Sequence, residues 1–149
     1  MGILTSASQS SCWKGLDYYK NKKIINLKQI SNHEYSSTAI GTNNYEVFLD
    51  IEHARKSTCN CPLANGKKII CKHIVATYFT AFPDKAEKFV EYEIRSQKEY
   101  QQYEFKLLDK TKKYIKSLSK QELVNELLYV LDYAPEWVYK DFLRRNNIK

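Results

Sequence analysis

Two close pairs of metal-type donors, Cys59-Asn60-Cys61-Pro62 and Cys71-Lys72-His73-Ile74, are separated by nine residues between Cys61 and Cys71, and no other feature restricts this chain as tightly. Three thiols and one imidazole fill the four tetrahedral positions that zinc prefers and leave none for water, which is the pattern of a structural site rather than a catalytic one. The i, i+2 spacing lets Cys59 and Cys61 project together from an extended or knuckled segment. Gly66 then helps the intervening loop reverse. Cys71 and His73 stand where a helix is expected to begin, so free backbone N–H groups and the positive end of the helix dipole favour thiolates there. The expectation is one structural Zn2+ held by Cys59, Cys61, Cys71 and His73. Cys12 belongs to neither pair and reads as a core thiol, and His33 and His53 read as solvated side chains outside the site.

The same residues argue against an enzyme. A Cys71–His73 nucleophile pair is the catalytic alternative, but three clustered thiols favour metal over nucleophile. Neither an H-E-x-x-H zinc-protease signature nor the H-x-E with P-C-x-x-C deaminase pattern occurs. Four cysteines without an export signal point to reduced thiols and a cytoplasmic setting. The longest uncharged apolar stretch, Ile74 to Pro83, is far shorter than the ~20 residues a bilayer-spanning helix needs. Gly2 with Ser6 fits a loose myristoylation pattern that short sequences often match by chance, and it is set aside.

Chemistry and helix-forming sequence are segregated along the chain. Residues 1–82 hold all four cysteines, all three histidines and all four glycines, with 10 basic and 5 acidic residues; residues 83–149 hold 14 basic and 12 acidic. This predicts a zinc-binding domain over 1–82 and an all-helical extension over 83–149. Trp13, Leu16 and Tyr19 recur at three-residue steps and predict a helix from Gln9 to Asn21. Runs at 24–27, 36–40 and 45–51, the last preceded by turn-forming Gly41-Thr42-Asn43-Asn44, predict an antiparallel meander. A covering helix over 69–82 ends at Pro83. Asp84 and Glu87 form a capping pair for one long helix to about Leu118, with a hinge near the polar turn around Ser96 as an open alternative. Ser119 and Glu122 form a capping box, and Pro135 opens a last helix through Phe142, giving a small C-terminal bundle. The fold class is therefore α+β.

These residues resemble the SWIM-type zinc finger family, whose hallmark is C-x-C, a variable gap and C-x-H. Beyond the ligands, Trp13-x-x-Gly15-x-x-Tyr18-Tyr19, Gly41-Thr42-x-x-Tyr45-x-Val47 and Ser57 before the first pair look like the bacterial version of the module, over residues ~10 to 82. Leu118-Ser119-Lys120-Gln121-Glu122-Leu123, with Pro135-Glu136, looks like its helical extension. The resemblance implies a β-β-α zinc unit, the four ligands named above, no catalysis, and a role in binding DNA or proteins.

Charge supplies the remaining expectation. Lys67, Lys68 and Lys72 flank the ligands, Lys20, Lys22 and Lys23 precede the first strand, and Arg55-Lys56 precede the first cysteine pair. A basic rim of this kind suits nucleic-acid phosphates, which give affinity without sequence specificity. The alternative is a protein-interaction adaptor or inhibitor acting on a nucleic-acid-processing enzyme, which exposed Tyr100, Tyr103 and Leu107 on the long helix would favour.

Overall fold

The computed structural model describes residues 2–148. It divides into two compact units, Met1–Ile94 and Arg95–Lys149. The first therefore takes in the opening turns of the long helix, which the division at Pro83 assigns to the extension, because Ala86 is buried and Phe89 and Val90 pack against the core of the first unit.

In the first unit, α1 (Ile3–Ser6) and α2 (Gln9–Lys20) lead into a four-stranded sheet of β1 (Ile24–Gln29), β2 (Glu34–Ile40), β3 (Asn44–Asp50) and β4 (Thr58–Cys59). The strands follow in the order β1-β2-β3-β4, and every pairing is antiparallel. The meander is thus present, with one short strand more than the sequence runs suggest. Alternation places Val47 and Leu49 of β3, and Ser37 and Ala39 of β2, on the covered face. Helix α3 (Lys72–Ala81) lies over that face and contributes fully buried Ile74, Val75 and Phe79. Buried Thr77 shares a 2.7 Å hydroxyl hydrogen bond with Ser37, so the polar pair crossing this core is satisfied.

Close approach of α2 to α3 requires Gly15. A Cβ at this position would stand 2.6 Å from Val75 Cβ, so no larger residue fits without displacement of one helix. Ser8 caps α2 by accepting from the Ser11 N–H at 3.2 Å. Ala7 also pairs with Ile70 in an isolated parallel bridge, which ties the N-terminal segment to the approach of the second ligand pair.

Helix α4 runs unbroken from Pro83 to Ser117, 35 residues, as the absence of internal Gly or Pro predicts. In the second unit it is followed by α5 (Lys120–Tyr133) and α6 (Glu136–Arg145). The expected capping box is formed: the Ser119 N–H donates to Glu122 Oε2 at 2.8 Å and the Glu122 N–H donates to Ser119 Oγ at 3.3 Å. The helices stand where the sequence puts them, but they enclose no core. Neither α5 nor α6 buries a single residue, so the C-terminal part is a series of amphipathic helices rather than a closed bundle. No helix among the described residues is long and apolar enough to cross a membrane.

Candidate metal centre

Each donor is delivered by a different local device. The turn after β3 is closed by Ser57, whose hydroxyl accepts the Asp50 N–H at 3.0 Å and donates to the Asp50 carbonyl at 3.3 Å. The Asp50 carboxylate in turn accepts the N–H groups of Glu52 at 3.0 Å and His53 at 2.7 Å. Burial pushes this carboxyl up, but those two N–H donors and the neighbouring imidazoles of His53 and His33 outweigh it and hold Asp50 below its ordinary value. The turn returns the chain as β4, with Cys59 opposite Val47. Asn60 continues the ladder by donating its N–H to the Glu46 carbonyl at 3.3 Å while its side-chain oxygen accepts the Glu46 N–H at 2.9 Å.

After Cys61 the backbone forms a knuckle, with the N–H groups of Ala64 and Asn65 both donating to the Cys61 carbonyl at 3.0 and 2.9 Å. Gly66 then takes a positive φ of 68°, a left-handed conformation that side chains disfavour, and the chain reverses as the sequence suggests. Cys71 is the N-cap of α3, at the end of the helix where the first N–H groups have no intrahelical partner. The helix is one turn shorter at its start than expected, beginning at Lys72, because residues 69–71 deliver the ligand instead of helical hydrogen bonds.

These devices bring Cys59, Cys61, Cys71 and His73 together with all four donor atoms within 4.8 Å of one another and all four residues buried. A tetrahedral ion ~2.3 Å from sulfur and ~2.1 Å from imidazole nitrogen sets those two donors ~3.6 Å apart. Cys59 Sγ and His73 Nδ1 are 3.6 Å apart. A buried nest of three sulfurs and a nitrogen fits a thiophilic cation in size and in chemistry. Cys71 is held below the ordinary thiol value by the hydrogen bond from Cys59, by His73 and by the N–H groups of Ile74 and His73, against the effect of burial. The Cys59 thiol is pushed up as the donor of that pair and by burial. The helix macrodipole favours a thiolate at this N-terminal position.

Two tyrosines shape the site although spacing gives them no role. Tyr45 stacks on the His73 ring at 4.7 Å and 20°, and Tyr18 meets it at 5.1 Å and 60°. Together they fix the plane of the imidazole and so the direction of Nδ1. Both belong to the motif residues that carry the family resemblance, but sequence periodicity does not report ring stacking. Cys12 is a buried thiol outside the site. His33 is half-buried and His53 exposed, and both attend the Asp50 turn, with His53 Nδ1 3.5 Å from Asp50 Oδ2.

The basic residues do not form one rim. Lys23 and Lys72 both lie over the Tyr18 ring, 4.8 and 4.4 Å from its centroid. Arg55, Lys67 and Lys68 line an open groove of about 890 Å³ bounded by β3, β4 and the knuckle, together with Asn44, Asn60, Asn65 and Phe48. Lys20, Lys22 and Lys56 are exposed and line neither place.

The SWIM zinc finger family model matches residues 45–81. The match spans β3, β4, the knuckle and α3, and so includes all four donors; the upstream motif residues from Trp13 to Thr42 lie outside it. No curated protein and no solved structure gives a match to the chain.

Proposed function

We propose that the chain is a non-catalytic module, stabilised by one zinc ion at Cys59, Cys61, Cys71 and His73, that binds nucleic acid through the basic surface of its N-terminal half. The observation that carries this reading is the groove beside the metal loop: Arg55, Lys67 and Lys68 converge on it with three carboxamides. Cations there neutralise phosphates, and Asn44, Asn60 and Asn65 add hydrogen bonds to sugar or phosphate. Zinc stiffens the knuckle from which Lys67 and Lys68 project. The ion supplies structure rather than a reaction, since three thiolates and an imidazole leave it no open position.

A salt titration of binding to random-sequence duplex and single-stranded nucleic acid tests the reading. With about four to six phosphates contacted by the groove residues and the Lys23–Lys72 pair, log affinity falls against log salt with a slope near −4 to −5. The Lys67→Ala/Lys68→Ala variant flattens that slope by about two units with zinc content and stability unchanged. Affinity is weak and sequence-independent, with a dissociation constant of ~10⁻⁴ to 10⁻⁶ M at physiological salt. Absence of binding at low ionic strength overturns it. The second reading, an adaptor or inhibitor docking on another protein, is favoured by the apolar side chains left exposed on the C-terminal helices.

A further inference from the structure

The second unit carries a surface that water alone does not explain. Between Tyr100 and Tyr139, sixteen large apolar side chains are 42–77% exposed, whereas soluble monomers rarely leave contiguous apolar patches beyond a few hundred Å². These side chains are not scattered. Tyr100, Tyr103, Leu107 and Tyr114 follow i, i+3, i+7, i+14 along α4, and Leu123, Leu127 and Val130 follow i, i+4, i+7 along α5. Both patterns are the seams of helices that pack on other helices.

The helix that would ordinarily cover α4 is α5, since short connections favour antiparallel neighbours. Here it does not. Ser119 is held extended at φ −65° and ψ 162° by its capping box, and every residue of 97–117 and 120–130 is exposed, so α5 does not lie along its own α4. Charge identifies what does. Residues 95–117 carry seven cations and three anions, and Lys120–Tyr133 carry one cation and three anions. One chain thus presents a basic helix and an acidic helix, each with an apolar seam. The object complementary to both at once is another copy of the same chain, as a two-fold interface requires. A large side chain buries up to ~200 Å² when fully covered, and these are about half exposed, so half of them, at ~100 Å² each, supply about 800 Å², the share each partner contributes to a standard interface.

We propose that two copies of this chain associate through their C-terminal helices, α5 of each lying along α4 of the other, with the seams apposed and the acids of α5 against the lysines of α4. The contact is independent of nucleic-acid binding, since none of the groove residues takes part.

Sedimentation equilibrium on the full-length, metal-loaded chain at ~100 μM tests this, with metal content measured alongside to show that the first unit is folded. The wild type sediments as a dimer. Leu127→Asp raises the dissociation constant by about thirtyfold at each of two symmetric contacts, on the order of a thousandfold together, with unchanged metal content. Charge exchange separates pairing from folding. One variant carries Lys106→Glu, Lys110→Glu and Lys113→Glu, making both helices acidic; the other carries Glu126→Lys and Asp132→Lys, making both basic and leaving the Ser119–Glu122 capping box intact. Each alone is a monomer, and a one-to-one mixture forms a heterodimer. A monomeric wild type overturns the proposal, including one that captures a different protein through these helices. So does a mixture that fails to associate.

Discussion

The two units of this chain contain similar proportions of apolar residues and use them in opposite ways. In the first unit Phe79, Leu49, Ile74 and Val75 are fully buried, and a metal-donor cluster with all four members buried clips the sheet to the helix above it. In the second unit the helices are as regular and as well capped, yet α5 and α6 bury nothing. Helix formation is local: it needs a cap, a periodic face and no breaker. A core is not local, because it needs a second surface of matching shape. The first unit supplies both surfaces itself and the second supplies only one, so substitutions of the same kind have different effects in the two.

The largest difference is expected at the four-donor cluster. Cys61→Ser removes one of four donors and leaves a site that no longer closes the loop between β4 and α3; loss of zinc costs the first unit on the order of 10 kcal/mol, enough to unfold it. Calorimetry of the variant shows no cooperative melt for residues 1–94, while helical chemical shifts in 120–133 persist. A Cys61→Ser chain that melts like wild type would show that the first unit folds without its fourth donor.

Deleting a phenyl ring has a different cost in each unit. Phe79 is 0% exposed and Phe105 is 74% exposed. Phe79→Ala costs ~3–5 kcal/mol through lost burial and a cavity, and Phe105→Ala stays within about 0.5 kcal/mol, both read from denaturant midpoints. Equal effects would mean that Phe105, which lies off the α4 seam, is covered too.

The sequence was legible where structure is local or chemically singular. The donor spacing alone identifies Cys59, Cys61, Cys71 and His73, because two close pairs of soft donors have few other uses. The breaker-free run after Pro83 gives α4, and Ser119 with Glu122 gives the start of α5. Features that depend on neighbours were not legible. β4 is two residues long and exists because Val47 and Phe48 offer it a ladder. α1 has four residues, too few for periodicity to show. Tyr18 and Tyr45 read as motif positions, and only their placement on the His73 ring reveals what they do. The apolar seams of α4 and α5 suggest a bundle, whereas the extended Ser119 cap directs them away from each other within one chain.

A smaller effect is expected at the contact between α2 and α3. Gly15→Ala forces a Cβ to within 2.6 Å of Val75 and costs ~1–3 kcal/mol as overpacking, measured by the shift of the melt of residues 1–94. The smallest belongs to the second unit, where a cap acts without tertiary support. Ser119→Ala removes the box and costs ~1 kcal/mol, visible as fraying of the first turn of α5 in backbone chemical shifts and absent from the melt of the first unit.

The claim on which the rest depends is that the first unit owes its fold to one zinc ion held by Cys59, Cys61, Cys71 and His73. Elemental analysis of the purified full-length chain, followed by thermal unfolding before and after a strong chelator, tests it directly. One zinc per chain is expected, with loss of the cooperative transition of residues 1–94 on chelation and its return when zinc is restored. A metal-free chain that unfolds cooperatively at the same temperature would contradict it.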